Sequence, residues 1–273
     1  MREHQIHGKE LSLEEIKVLQ MDVLAAIDRF CCAKNIRYSM ACGTLLGAIR
    51  HKGYIPWDDD IDIYVPRQDY KRLMAEFPET YEGYYKISSL ERDKFWNRPY
   101  ANAYDSRTVF EEDARNCEQI GVNIDIFPVD DVPIGEEWIR FDTKRRREQK
   151  LFSLNFVRFS RQRAFLKNAF LLFYRVIACF YPTRKWAERL DVKAQQFNEK
   201  GYNYLFENCL GLLQKKPFPK ELFERLIYVP FENRQFKAFA DYDNYLKNGF
   251  GNYMQLPPKE KQVSHHSFKA YWK

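Results

Sequence analysis

The sequence predicts an α+β fold, with a mixed sheet and flanking helices over residues 1–133 and a mainly helical part over residues 134–273. Three observations predict it. Short β-branched or aromatic runs alternate with segments of helical period up to about residue 133. Helix formers dominate from Glu136 onward, with few strand signals before Tyr228. A chain of 273 residues that is 45% hydrophobic and 30% charged can also bury a sizeable core, and its 11 Gly and 12 Pro exclude fibrous and low-complexity classes. No internal repeat is visible.

The elements follow in order. Ser12 to about Lys34 carries Leu13, Ile16, Leu19, Val23, Ile27 and Phe30 at three- and four-residue spacings, opened by a Ser12–Glu15 capping-box pattern, and predicts an amphipathic helix. Arg37 to Ala41 is a short strand candidate, followed by Gly43, a helical run TLLGAIRHK and Gly53 as its C-cap. Asp59 to Val65 alternates and is β-branched, which predicts a strand, and a helix follows Pro66. Tyr84 to Ser89, Tyr100 to Tyr104 and Val122 to Phe127 are further strand candidates, the last ended by Pro128 and a turn around Asp130, Asp131 and Pro133.

Charge is uneven along the chain. The net charge is +6, yet nine Lys or Arg against the single acid Glu148 lie between Lys144 and Lys167, so one anion-seeking patch holds the basic character. After it, Ala169 to Tyr181 is an apolar run interrupted by Arg175 and ended by Pro182; it is shorter than the ~20 residues a membrane crossing needs. Two readings stand: an interfacial helix on an anionic membrane surface, or a core helix beside a solvated basic face. The N-terminus has no apolar run of the signal-peptide kind, so the expected address is cytoplasmic, with a peripheral place on the inner face of the membrane under the first reading. Cys31, Cys32, Cys42, Cys117, Cys179 and Cys209 form no CxxC pair and read as reduced, mostly buried thiols.

The block from Cys42 to Arg67 carries the chemistry. On a strand, side chains at i, i+2 and i+4 share a face, so Asp58, Asp60 and Asp62 point one way and Asp59, Ile61 and Ile63 the other. Three carboxylates on one face repel unless a cation lies between them, and Mg²⁺ or Mn²⁺ takes such oxygen ligands. The bland alternative is that these acids are solvated or pair with Arg50, Lys52 or Arg67. In VNIDIF, Asp125 is set into an otherwise apolar strand, where a lone carboxylate is costly unless paired or metal-bound. Gly43 and Thr44 open a helix after a strand and offer backbone N–H groups to phosphate oxygens, with Arg50, His51 and Lys52 adding charge. Glycine and hydroxyl at a helix start, an acid-hydrophobic-acid triplet on the next strand and a third acid on a later strand form the arrangement of nucleotidyltransferase-fold enzymes, suited to metal-assisted phosphoryl transfer.

The block GTLLGAIRHKGYIPWDDDIDIYVPR, the later IDIFPVD, and the C-terminal VPFE and GNYMQLPP closely resemble the LicD family of phosphocholine transferases, whose relatives include the fukutin-related ribitol-phosphate transferases. The resemblance runs from the first helix to the segment around His265. It implies Asp60 and Asp62 as paired metal ligands and catalytic residues, with Asp58 as a further ligand. Asp125, also catalytic, would complete the metal site or accept the proton of an attacking hydroxyl. It further implies a donor such as CDP-choline or a similar CDP-alcohol and a hydroxyl acceptor on a cell-surface glycan or its lipid-linked precursor (lipopolysaccharide, teichoic acid or capsule), with CMP leaving. Where a family lysine is expected, this chain has Asn102, which shifts one phosphate contact to Arg98 or Arg107. No zinc-binding cysteine loop of the kind some relatives carry is present in the sequence.

A choline headgroup needs a cage of aromatic faces; Tyr54, Trp57, Trp96, Tyr100, Tyr104 and Tyr253 lie near the motifs, and Trp57, beside the acidic triad, is the first choice. His51, His265 and His266 lack ligand-like spacing. Two alternatives remain: a nucleotidyltransferase that releases pyrophosphate, and a nucleic-acid-binding protein using the basic patch. The second is disfavoured because the patch has no recognition motif and the triad would repel a phosphate backbone.

Overall fold

The computed structural model describes residues 8–112, 116–158, 165–178, 181–210, 216–263 and 268–273. The first helix, α1 (Leu13–Ala33), starts with the expected reciprocal cap: the Glu15 amide donates to Ser12 Oγ (3.2 Å) and the Ser12 amide to Glu15 Oε2 (2.8 Å). Of the expected apolar stripe, all but Leu13 is buried, because Leu13 lies in the first turn, outside the packed length.

The main sheet is mixed, as expected for the α+β class. β1 (Ser39–Met40) pairs antiparallel with β2 (Asp62–Pro66), and β2 pairs parallel with β6 (Asn123–Val132). On the other side of β6 come β4 (Ala101–Asp105) and then β3 (Tyr85–Ser88), both antiparallel. The ten-residue β6 is the spine, and its far end pairs with β7 (Tyr204–Phe206), which pairs with β8 (Phe218–Pro219). The sheet therefore continues across residue 133 into the second part. That part holds α4 (Gly135–Ser153), α5 (Phe165–Ala178), α6 (Thr183–Ala194) and α7 (Tyr242–Phe250), and adds the hairpin of β9 (Leu226–Phe231) and β10 (Arg234–Phe239). A separate ribbon joins β5 (Thr108–Glu112) to β11 (Phe268–Trp272).

Three local differences from expectation have physical causes. The strand expected from Asp59 starts only at Asp62. The Asp58 amide turns back to the Ile55 carbonyl (2.8 Å), and the Asp59 carbonyl accepts from Gln20 Nε2 (3.0 Å), so residues 58–60 run beside the sheet, and the ladder starts where the Ile61 carbonyl accepts from the Asp125 amide (2.8 Å). Pro128 does not end β6. It falls between the β4 pairing, which stops at Ile126, and the β7 pairing, which starts at Asp130, where its missing N–H leaves no ladder bond unmade. Gly53 is not the C-cap of α2 (Cys42–Arg50). His51 caps the helix, Lys52 takes the left-handed turn (φ 64°), and Gly53 gives clearance to a distant side chain described below.

The basic patch is smaller than its sequence. Arg145 is buried on α4, bonded to Asp142 and Gln149 and lying 5.0 Å over the Phe206 ring, and Arg146 is paired with Asp142 (2.6 Å). Helical phase explains it: Arg145 shares the inward face with Phe141 and Trp138. Arg161 and Arg163 lie outside the described residues, as do Cys179, His265 and His266. The described cysteines are all free thiols; Cys31, Cys42 and Cys209 are buried, Cys117 is half-buried and Cys32 is exposed.

Candidate active site

Three neighbouring strands set the floor of the site. Asp62 opens β2, Asp125 is its register partner on β6, and Asn102 of β4 is the partner of Asp125 on the far side. Partners in register project to one face, so the sheet presents a row of carboxylate, carboxylate and amide. Asn102 is fully buried, and its Nδ2 donates to Asn123 Oδ1 (2.9 Å) and to Asp125 Oδ1. The residue that departs from the family's lysine is thus a neutral donor that orients Asp125.

Asp58 and Asp60 join this row from the segment before β2. The Asp62 carboxyl is held well above the ordinary carboxylate range, first by burial and then by repulsion from Asp60, Asp125 and Asp58, with a Cys42 hydrogen bond partly offsetting the rise. Asp59 is buried, with its carbonyl bound to Gln20. This segment is not a regular strand: its backbone is held by the turn to Ile55, by Gln20 and by the bond from the Asp125 amide to the Ile61 carbonyl.

The turn from β1 into α2 fixes Asp62. The Ala41 amide donates to the Asp62 carbonyl (3.0 Å), and the Asp62 amide donates to Thr44 Oγ1 (2.8 Å). Thr44, an expected phosphate ligand, thereby positions the strand through its hydroxyl oxygen. Gly43 lies against Asp58: a Cβ there would stand 2.5 Å from Asp58 Oδ2, so the glycine lets the carboxylate close on the helix start. No side chain caps α2, and the Cys42 amide donates to the Tyr245 hydroxyl (3.2 Å).

Of the expected cationic contacts, Arg50 donates to the Tyr253 carbonyl (2.7 Å), and Lys52 is exposed at the following turn. Arg67 is engaged elsewhere, with both Nε and Nη2 on Asp130 (2.7 Å each) and Nη1 on Asp191 (2.7 Å), all at buried or nearly buried positions. The neutralising partners offered by Arg50 and Arg67 are therefore committed away from Asp62. The His51 imidazole is pushed to lower pKa by burial and then by Arg50, and it stands edge-on to Trp57 with ring centroids 6.3 Å apart. Trp57 itself is half-buried against the core.

The C-terminal motifs fasten this segment. Glu232, from VPFE, accepts from the Tyr54 amide (3.0 Å), while its own amide donates to the Lys52 carbonyl (2.7 Å). A Cβ on Gly53 would come within 2.1 Å of Glu232 Oε1, which is why a glycine stands there. Tyr253, from GNYMQLPP, supplies the carbonyl that Arg50 binds, and its hydroxyl is pushed up to about 12 by burial and by its bond to Asp243. Both motifs act by holding the chain that carries the carboxylates.

Arg107 is drawn to Asp105 and lies 3.5 Å over the Tyr84 ring, and Arg98 reaches the Tyr100 hydroxyl (3.2 Å). Among the cage candidates, Tyr54, Trp96, Tyr100 and Tyr253 are buried in packing, while Trp57 and Tyr104 keep partial exposure. The Cys42 thiol is pushed up first by burial and then by Asp62, with smaller contributions from Asp60 and from Glu207, a 1% exposed acid absent from the sequence motifs. A lone acid in FENCLG carries no periodic signal that could have singled it out.

Asp58, Asp60 and Asp125 around the buried Asp62 form a hard oxygen donor set, which fits a divalent cation in ligand type and in charge. As the side chains stand, no three His, Cys, Asp or Glu among the described residues are grouped to enclose an ion.

Residues 35–169 match the family model described as LicD/FKTN/FKRP, nucleotidyltransferase domain. The chain is 34% identical over 265 residues to the lipopolysaccharide cholinephosphotransferase LicD of Haemophilus influenzae, covering 96% of this chain and 99% of that protein. It is also 35% identical over 89 residues to an uncharacterized protein of Rickettsia prowazekii, covering 32% of this chain and 31% of that one.

Proposed function

The chain belongs to the LicD family, and from that premise we propose that it transfers phosphocholine from CDP-choline, or a similar CDP-alcohol, to a hydroxyl of lipopolysaccharide or a related lipid-linked glycan. The observation that carries this reading is the end-to-end similarity to the Haemophilus influenzae enzyme. The carboxylate row suits it.

In the proposed reaction the acceptor oxygen attacks the phosphorus bearing choline, the new P–O bond forms, and the bond to the bridging oxygen breaks, so CMP leaves with that electron pair. Asp125 takes the hydroxyl proton, oriented by Asn102, whose amide favours the ionised carboxylate. Asp58, Asp60 and Asp62 would hold a Mg²⁺ or Mn²⁺ ion, which when bound supplies neutralisation of the diphosphate charge. The α2 start, with Gly43 and an uncapped first turn, suits a phosphate oxygen, and Arg50, Lys52 and Trp57 border the same segment.

The test is incubation of the purified protein with Mg²⁺, CDP-choline and lipopolysaccharide acceptors, following CMP. Acceptor-dependent CMP release supports the reading. Release of pyrophosphate from a nucleoside triphosphate, with no CMP from CDP-alcohols, would replace it with the nucleotidyltransferase alternative.

A further inference from the structure

Helix α5 presents most of its apolar residues outward. Its covered side holds Leu171 and Tyr174, and polar atoms carry the attachment: the Tyr174 hydroxyl donates to the Leu151 carbonyl (2.6 Å) and accepts from Asn155 Nδ2 (3.3 Å), and the Arg175 guanidinium donates to the Val157 carbonyl. The opposite side exposes Phe165 (83%), Leu166 (79%), Phe170 (56%), Leu172 (57%), Phe173 (64%) and Val176 (59%). At helical period these six fall on one continuous face. A contiguous apolar face of this kind marks a contact surface rather than ordinary scatter.

Charge selects the occupant. Lys167 is exposed beside the apolar face, Lys150 and Arg147 are exposed in the last turns of α4 that meet α5 through Leu151, and Arg158 is exposed just after Val157. The one acid between Lys144 and Lys167, Glu148, is already paired with Lys193 (3.0 Å) and lies 3.5 Å from Arg189. A two-fold contact between copies through this face would bring like charges together. An anionic lipid surface meets both features, since acyl chains take the Phe and Leu side chains while headgroups take the cations. No helix among the described residues is long and apolar enough to cross a membrane, and the 14 residues of α5 span only about 21 Å at 1.5 Å per residue.

We propose that α5 is an interfacial helix that lies in the plane of an anionic bilayer with Phe165, Phe170 and Phe173 inserted and the α4–α5 cations on the headgroups. This goes beyond the transfer reaction and does not depend on it.

The test is flotation of the full-length protein with phosphatidylcholine vesicles and with 1:1 phosphatidylcholine–phosphatidylglycerol vesicles, together with sedimentation velocity. Two variants are compared: Phe170→Glu with Phe173→Glu, which removes the inserted side chains, and Lys150→Glu with Lys167→Glu, which reverses the headgroup cations. The parent should float with the mixed vesicles and much less with phosphatidylcholine alone. Each variant should lose about tenfold or more of the bound fraction while keeping the parent's thermal midpoint and its CMP release with a delipidated acceptor. Failure of the parent to float, flotation of both variants equal to the parent's, or a parental dimer that the phenylalanine variant dissociates would overturn the proposal. The delipidated assay separates failure of the membrane contact from failure of the transfer reaction.

Discussion

Asp62 and Asp125 stand opposite one another across the parallel β2–β6 pair, and the Asp125 amide donates to the carbonyl of Ile61, one residue before Asp62 (2.8 Å). The pair is therefore set by backbone hydrogen bonds and does not depend on any attraction between the two acids, which repel. That relationship underlies the first two predictions.

Asp60→Asn and Asp62→Asn should each abolish transfer. Asp62 also predicts a stability effect of definite sign. Because its folded pKa is raised above the ordinary 3.8, its contribution is fully favourable only below that value and is lost as pH rises through the raised folded value. In chelator, thermal midpoints of the parent should fall as pH rises above about 4, and Asp62→Asn should flatten that fall and exceed the parent at pH 7. A less stable Asp62→Asn protein at pH 7 would mean that the carboxylate has a compensating partner.

Asp125→Asn separates two roles. If Asp125 is the base, turnover should drop about 10² to 10⁴ at every Mg²⁺ level, with Mg²⁺ dependence otherwise unchanged. If it is chiefly a ligand, raising Mg²⁺ should restore part of the rate. The bond from Asn102 favours the first outcome, and steady-state kinetics over a Mg²⁺ series decides it.

Asn102→Ala removes the donor that favours ionised Asp125. Activity should fall about ten- to a hundredfold, and the acidic limb of the pH–rate profile should move to higher pH, because a carboxylate losing a hydrogen-bond donor becomes a stronger base. A uniform loss with no shift of the limb would indicate a packing effect alone.

Gly53 and Glu232 should be coupled energetically. Gly53→Ala forces a Cβ onto the Glu232 side chain and should destabilise the fold, whereas Glu232→Ala costs about 1 kcal/mol for the lost Tyr54 amide bond. Together they should cost less than the sum, since the second change removes what the first collides with. Urea unfolding of the four proteins measures the coupling.

Much of the sheet was legible in the sequence because alternation is a local signal: the strands around Asp62, Asn102 and Asp125 follow from a period of two. What was hidden depends on partners distant in the chain. Thr44 and Arg50 have the residue types of phosphate ligands, yet the Thr44 oxygen meets the Asp62 amide and Arg50 meets the Tyr253 carbonyl, contacts spanning 18 and 203 residues. The short β7 exists through pairing to β6 and β8 through pairing to β7, beyond any propensity of three or two residues. For Arg145 a run of like charges concealed the helical phase that buries one of them. For α5 the apolar face was visible, but a pattern cannot tell which face the rest of the protein covers.

Phosphocholine transfer through the carboxylate row is decided by mass spectrometry of lipopolysaccharide treated with the purified protein, Mg²⁺ and CDP-choline, beside the Asp62→Asn protein. The acceptor should become heavier by one phosphocholine group, matched mole for mole by CMP, and Asp62→Asn should give no product. An acceptor carrying a nucleotidyl group, or the same phosphocholine product from Asp62→Asn at a near-parental rate, would contradict it.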